Sequence, residues 1–409
     1  MSVHDHRNYA TKIAALQPTL KRLRSSSSET GAAPHQLTYA SKSALFRHMM
    51  TLPTPRLEID GNIVRDNIRR MAEYAATYGL SVRPHTKTHK SQRIARMQLD
   101  AGAGGLTVAK LGEAEIMAEV SDDILVAYPA LDPVRATGIA NLAKRVTVHV
   151  AVDSEYAVDA LASAAQMAGA VIGILVDIDV GMGRTGLQTP LSALELARLV
   201  DMTKGVRLDG IMCYPGHVWG DPNKQSEQLS LVSAKLAETI ELWHNYGLEA
   251  HIVSGGSTPT AYQSHLIPEL TEIRPGTYVF NDMNEVRGGY ATIEECAARM
   301  VCTVVSNAVP NQVVIDAGNK TLTSDRCIPA PETGHGYIVE YPDAIVTALS
   351  EEHGQVDVSR CARRPQLGEQ IHLIPNHICP CVNLHDSVWW IEPNEDPEQI
   401  PVDARGRVV

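Results

Sequence analysis

The chain has 409 residues, 44% of them hydrophobic, and a formal charge of −11 from 36 Lys and Arg against 47 Asp and Glu. That length is enough for two domains and a large core. The charge argues against general nucleic-acid binding. No apolar run approaches the ~20 residues of a membrane span.

Residues 1–50 differ from the rest, with seven Lys or Arg, two acids and the run Ser25-Ser26-Ser27-Ser28. An N-terminal extension, mobile or contacting a second copy, fits this composition. An organelle transit peptide also fits, although Asp5 and several histidines count against it.

From residue 54 the pattern becomes regular. A helix is expected over 62–78, and residues 57–60 before it are a candidate strand of a later β domain. Strand-like runs rich in Val, Ile and Leu follow at 80–85, 105–109, 123–129, 146–152, 171–180, 208–214, 250–255 and 272–280. Runs of that kind are strands buried on both faces. Amphipathic stretches such as 111–120, 192–202 and 225–246 separate them. Eight such alternations predict an α/β fold, a parallel (β/α)8 barrel of the TIM type over 54–295.

Near residue 296 the runs become short and are divided by Gly and Pro, as at 300–305, 312–317, 370–375 and 387–392. They predict a mainly antiparallel β domain over 296–395, with a tail from 396 to 409. The seven cysteines (Cys213, Cys296, Cys302, Cys327, Cys361, Cys379 and Cys381) are odd in number and irregularly spaced. They do not read as a disulfide framework, and a reducing, cytoplasmic setting is expected.

Chemistry concentrates where barrel strands end. Lys87 follows the first strand within Pro84-His85-Thr86-Lys87-Thr88-His89-Lys90. Neighbouring cationic groups lower a lysine's pKa and make its amine a nucleophile, as a pyridoxal phosphate Schiff base needs. A basic surface loop would look the same in isolation. Ser254-Gly255-Gly256-Ser257 and Arg274-Pro275-Gly276-Thr277 lie at strands seven and eight. There glycines let backbone N–H groups approach a phosphate, or simply make tight turns. Arg184, in the glycine-rich loop after strand five, is placed to face a cofactor's phenolate oxygen. His217, in Tyr214-Pro215-Gly216-His217 after strand six, is either a general base or a structural histidine. His377 and Cys379, if extended, share one face and form a zinc-type pair, or else a buried cysteine beside a chance histidine.

These motifs, with Asp316-Ala317-Gly318, Ser350-Glu351-Glu352-His353-Gly354 and His377-Ile378-Cys379-Pro380, run in one order from about residue 54 to 392. Together they resemble the D-serine dehydratase and D-threonine aldolase group of fold-type III pyridoxal phosphate enzymes, relatives of alanine racemase. The resemblance implies that Lys87 carries pyridoxal 5'-phosphate. Arg184, Tyr214, Gly255, Gly256, Ser257, Gly276 and Thr277 then surround the cofactor. It also implies a divalent metal, zinc above all, on His377 and Cys379, a head-to-tail homodimer and β-hydroxy-D-amino acid substrates. The His-x-Cys pattern points to a dehydratase of the D-serine or D-threo-3-hydroxyaspartate type. Val382-Asn383-Leu384-His385-Asp386 resembles the aldolases, which cleave Cα–Cβ to give glycine and an aldehyde. An amino-acid racemase and a non-catalytic cofactor-binding protein are the remaining alternatives.

Overall fold

The computed structural model describes residues 52–409. The expectations for residues 1–50 lie outside it.

The chain enters through strand β1 (Arg56–Asp60) and helix α1 (Gly61–Thr77). Asp60 caps that helix by accepting the N–H groups of Asn62 and Ile63. Eight strands follow, β2 (Ser81–Val82), β3 (Leu106–Val108), β4 (Asp123–Val126), β5 (Thr147–Val152), β6 (Ile172–Ile178), β7 (Val206–Cys213), β8 (Ile252–Gly255) and β9 (Glu272–Ile273). All pair in parallel, in the order β2-β9-β8-β7-β6-β5-β4-β3. Thr107 N–H donates to the Pro84 carbonyl and Gly104 N–H to that of Val82, both at 2.9 Å, and these bonds join the two ends into a barrel. The helices between strands, among them Pro133–Leu142, Glu155–Ala168, Pro190–Met202 and Ser226–Asn245, bury Ala and Leu faces against the outside.

Alternate residues of the strands point inward and form layers. Leu125, Ala151, Leu175 and Met212 make a small apolar layer of their own. Below it lies a charged layer that the apolar runs did not reveal. Arg83 binds Glu272 at 2.9 Å and Asp123 at 2.5 Å, while His149 bridges Asp123 at 3.3 Å and Asp209 at 2.6 Å. Gly173 makes room for this layer, because a Cβ there would meet Asp209 Oδ2 at 1.8 Å.

The second sheet contains β10 (Ala298–Ser306), β11 (Gln312–Ile315), β12 (Tyr337–Ile338), β13 (Ile345–Leu349), β14 (Gly354–Asp357), β15 (Gln370–Ile374), β16 (Ser387–Ile391) and β17 (Glu398–Pro401). Its order is β13-β14-β11-β10-β1-β16-β17, with β15 also on β10 and β12 on β15. Every pair is antiparallel except β1 with β16. β1 therefore belongs to this sheet, and the helix after it ties the sheet to the barrel. The last residues return to the barrel as well: Ala404 N–H donates to the Lys90 carbonyl at 3.0 Å, and the Val409 carbonyl accepts from Gly112 at 2.9 Å.

Several strands are shorter than their apolar runs. The run 272–280 stops at Ile273, where Arg274, Pro275 and Gly276 lead into a 3-10 turn at Thr277–Val279. Proline has no N–H for the ladder. All seven cysteines are free thiols. Among the described residues no helix is long and apolar enough to cross a membrane.

Candidate active site

Lys87 sits in a one-turn 3-10 helix, Thr86–Thr88, just past β2. Thr86 and Thr88 are fully buried and Thr86 Oγ1 donates to the Thr107 carbonyl at 3.2 Å, so the turn is anchored on both sides of Lys87. Lys87 itself is exposed and projects into the barrel mouth. The neighbouring cations do not crowd it as the sequence suggested. Lys90, at φ 51°, turns away and pairs with buried Glu113 at 2.5 Å. His89 bonds Gln98 at 3.2 Å, and burial holds its pKa down at about 4, so it is neutral. Only His85 remains beside the amine. Burial and then the Lys87 charge push it well below the ordinary histidine range.

The mouth holds two connected cavities, of about 300 and 540 Å³, which share His85, Lys87, Tyr214 and Arg274. Their walls come from segments that follow strands: Lys110 after β3, Tyr128 after β4, Arg184 after β6, Tyr214 after β7 and Ser257 after β8. The larger cavity contains Arg184, whose guanidinium stacks on Tyr214 at 4.8 Å, and the buried carboxyl of Asp177. Asp177 accepts from Thr185 Oγ1 at 2.8 Å, and burial raises its pKa. The smaller cavity faces the β domain and reaches Asp282, Glu285, His377 and Cys379.

The glycine segments meet between the cavities. Gly256 has φ +77°, a conformation that favours glycine. A Cβ on Gly276 would press at 3.0 Å on the His85 carbonyl and Thr88 Oγ1. Ser257 N–H reaches Thr260 Oγ1 at 3.1 Å and Gly276 N–H reaches Thr258 Oγ1 at 3.3 Å, which gathers hydroxyls and amides in one corner. Gly255 is not on the wall. Its Cβ position faces Leu270 and Cys213, so it is a packing glycine of the barrel.

His217 also lies off the wall. Its ring packs against Gly181, whose Cβ position would lie 2.7 Å from His217 Nε2, and its buried Nδ1 has no hydrogen-bond partner. His377 and Cys379 do come together, but not on a strand. His377 caps the short helix Ile378–Asn383, and Cys379 occupies its first turn. Asp282 Oδ2 accepts the Ile378 N–H at 2.9 Å and fixes that start. Burial disfavours charge on both groups, yet their mutual hydrogen bond outweighs it. The His377 pKa rises to about 9 and that of Cys379 falls, because each group favours the charged form of the other. Asp325 Oδ2 holds His377 Nδ1 at 3.1 Å.

Residues 59–284 match the family described as alanine racemase, N-terminal domain, and residues 297–391 match a putative serine dehydratase domain. The chain belongs to the alanine racemase N-terminal domain family. It is an enzyme of the fold-type III pyridoxal phosphate group. It is 31% identical over 360 residues to a D-threonine aldolase of Arthrobacter sp, spanning 86% of this chain and 93% of the other. A D-threo-3-hydroxyaspartate dehydratase of Delftia sp. (strain HT23) is 30% identical over 355 residues, 81% of this chain and 92% of that one. The crystal structure of D-threonine aldolase from Filomicrobium marinum superposes with a TM-score of 0.82 at 29% identity, over 88% of this chain and 98% of that one.

The residues present fit the family's cofactor. A free amine, a glycine cradle with clustered hydroxyls and an arginine stacked on a tyrosine surround one cavity system. A divalent ion fits only in part. Imidazole nitrogen and thiolate sulfur suit zinc, but among the described residues no group of three or more His, Cys, Asp or Glu could hold a metal ion. His377 and Cys379 can supply two ligands of an open site.

Asp282 and Glu285 on this wall escaped the sequence reading, and Arg274 was read only as part of a glycine segment. Arg274 is buried below the cavities, donating to Ser254 Oγ at 2.7 Å and to the Cys213 carbonyl at 2.6 Å. Asp282 caps a helix, Met283–Gly288, with Glu285 in its first turn, and nothing in the sequence placed it beside His377.

Proposed function

We propose that this protein is a pyridoxal phosphate- and metal-dependent lyase that dehydrates a β-hydroxy-D-amino acid to a keto acid and ammonia. One observation carries the reading: Lys87 and the His377–Cys379 pair line the same cavity of about 300 Å³. When bound, pyridoxal phosphate withdraws electrons from Cα and makes its proton acidic, and a divalent ion polarises the β-hydroxyl.

The chain's own residues supply the rest. Lys87 attaches the cofactor and, once freed, holds and moves the Cα proton at Nζ. Gly256, Ser257, Gly276 and Thr277 bind the phosphate in the glycine corner, and Arg184 and Tyr214 orient the ring. His377 and Cys379 would hold the ion on the wall shared with Lys87, where it would polarise the substrate hydroxyl. Walls from both domains limit water at that end. A head-to-tail homodimer is part of the same proposal.

Elimination needs help for a departing hydroxyl, whereas retro-aldol cleavage needs a base to take that hydroxyl's proton. His217, the base suggested by the sequence, packs on Gly181 and is off the cavity wall. Asp282 and Glu285 on the same wall are other candidates for that base, so the choice of elimination rests on His377 and Cys379 as ligands of an ion that would draw the hydroxyl away. Retro-aldol cleavage is the second reading, because a D-threonine aldolase is among the relatives. Incubating the enzyme with D-serine and D-threonine and measuring ammonia, keto acid, glycine and aldehyde in parallel decides between them. Glycine with an aldehyde, and no ammonia, overturns the dehydratase reading.

A further inference from the structure

We infer that Glu113 is a positioning residue for the reaction: it clasps the seam of the barrel and sets the Lys87 turn against the adjoining cavity wall. The inference rests on the assignment of Lys87 to the cofactor.

The seam lies between β2 and β3. Every other neighbouring pair of barrel strands forms a hydrogen-bonded ladder. β2 and β3 are joined by an isolated bridge between His85 and Thr107 and by single bonds to the Val82 and Pro84 carbonyls. Thr86 Oγ1 and Thr107 Oγ1 add one bond each, to the Thr107 and Arg83 carbonyls. The loops that leave these two strands carry Lys87 on one side and Ala109 and Lys110 on the other. All three residues line the cavity of about 540 Å³. The width of the cavity beside Lys87 therefore depends on what crosses the seam.

Glu113 crosses it at the cavity end. It sits in the helix Leu111–Met117, is buried, and uses both carboxylate oxygens. Oε1 accepts from Lys90 Nζ at 2.5 Å, on the Lys87 side. Oε2 accepts the Ala109 N–H at 2.7 Å, on the other side. A carboxylate that only balanced the Lys90 charge would not need its second oxygen on the backbone of the cavity wall.

Lys90 is committed to this contact by its own backbone. It holds φ 51°, a left-handed conformation that costs a non-glycine residue energy. Its N–H donates to the Thr86 carbonyl at 2.8 Å, which closes the turn around Lys87, and its carbonyl accepts the Ala404 N–H at 3.0 Å. Ala404 also covers the pair: it is fully buried, and its carbonyl accepts from Lys90 Nζ at 3.4 Å. The Lys90 and Glu113 side chains are 6% and 3% exposed, so water does not loosen the clasp. Lys87 moves the Cα proton at Nζ, a step that misplacement by ~1 Å slows on the order of 10²-fold.

The test compares the wild-type holoenzyme with Glu113→Gln and with the double variant Lys90→Met, Glu113→Gln. A glutamine amide accepts through one oxygen only, so it keeps one side of the clasp and releases the other. The rate kcat per bound cofactor is measured well below each melting temperature, with the best substrate among D-serine, D-threonine and D-threo-3-hydroxyaspartate. Glu113→Gln should lower it by ~10-fold or more, with KM changed by less than ~3-fold. Its melting temperature should also fall, because Lys90 is left as a buried charge without its partner. The double variant removes both charges. Its melting temperature should recover, while kcat stays down by ~10-fold or more. Recovery of kcat together with the melting temperature, or kcat within ~2-fold of wild type in either variant, shows that the pair serves stability alone and overturns the inference.

Hydrogen exchange on the wild type gives a second measurement that needs no variant to fold. The Lys90 and Ala109 amides should exchange as slowly as those of β3. Exchange of either amide at the rate of an exposed loop overturns the clasp. A wild type without a Schiff-base absorption band fails the assignment of Lys87, and this inference with it. A normal band with unaffected Glu113 variants fails this inference alone.

Discussion

Thr88 Oγ1 lies 3.2 Å from Cys379 Sγ, so the residue next to Lys87 touches the residue next in importance on the β domain. Thr277 Oγ1 approaches the same sulfur at 3.7 Å. Two hydroxyls from the ends of barrel strands thus hold a sulfur that belongs to another domain. A hydrogen bond to a charged sulfur favours its ionised form. Thr88→Val keeps the shape and removes the donor. It should leave the cofactor's absorption band in place and lower kcat by ~10-fold. Loss of the band in that variant would mean that Thr88 acts on the Lys87 turn instead.

Lys87 is the most exposed residue of its turn, although both neighbours are fully buried. Such a turn presents one side chain and packs the rest. Lys87→Ala should fold with an unchanged melting temperature, because its side chain makes no core contact. It should lack the visible absorption band of the bound cofactor, and turnover should drop on the order of 10³-fold. A retained band would sink the assignment.

His377 and Cys379 provide two donors, and the metal ion they would share must come off more easily than one held by four. Dialysis against EDTA should abolish turnover while the cofactor band persists, and added Zn2+ should restore it. Cys379→Ala should show the same loss with no rescue. Metal analysis of the active enzyme checks both, and active protein without metal would remove the Lewis acid from the proposal.

The barrel was legible because its strands are mostly buried and so are rich in Val, Ile and Leu, as Ile172–Ile178 is apart from Gly173 and Asp177. Lys87, Arg184 and the glycine segments were legible because strand ends are where this fold places chemistry. Asp282 was not, since its place in the site depends on accepting the Ile378 N–H, nearly a hundred residues on. The crowding of Lys87 by Lys90 was misjudged for the same reason. Adjacent residues were assumed to share space, while a positive φ turned Lys90 to Glu113. Likewise the apolar runs concealed Asp123, His149 and Asp209, single polar residues within strands whose meeting depends on register.

That polar layer makes stability depend on pH. Burial opposes charge on His149, but its hydrogen bonds to Asp123 and Asp209 and their charges outweigh it, and its pKa lies above the ordinary value. Folding therefore takes up a proton in the window between the unfolded and folded values. The stabilisation is complete below the unfolded pKa of ~6.5 and is lost as pH rises through the higher folded one. Wild-type protein should show a falling melting temperature across that window. His149→Gln cannot carry the charge and leaves Asp209 with only Arg207, which binds it at 2.5 Å. It should lose about 3 kcal/mol at ~pH 6, where the wild-type pair is charged, and less at ~pH 9. Chemical denaturation of both proteins at the two pH values checks this. An equal loss at both would show that His149 stabilises the barrel through packing and neutral hydrogen bonds, not through its charge.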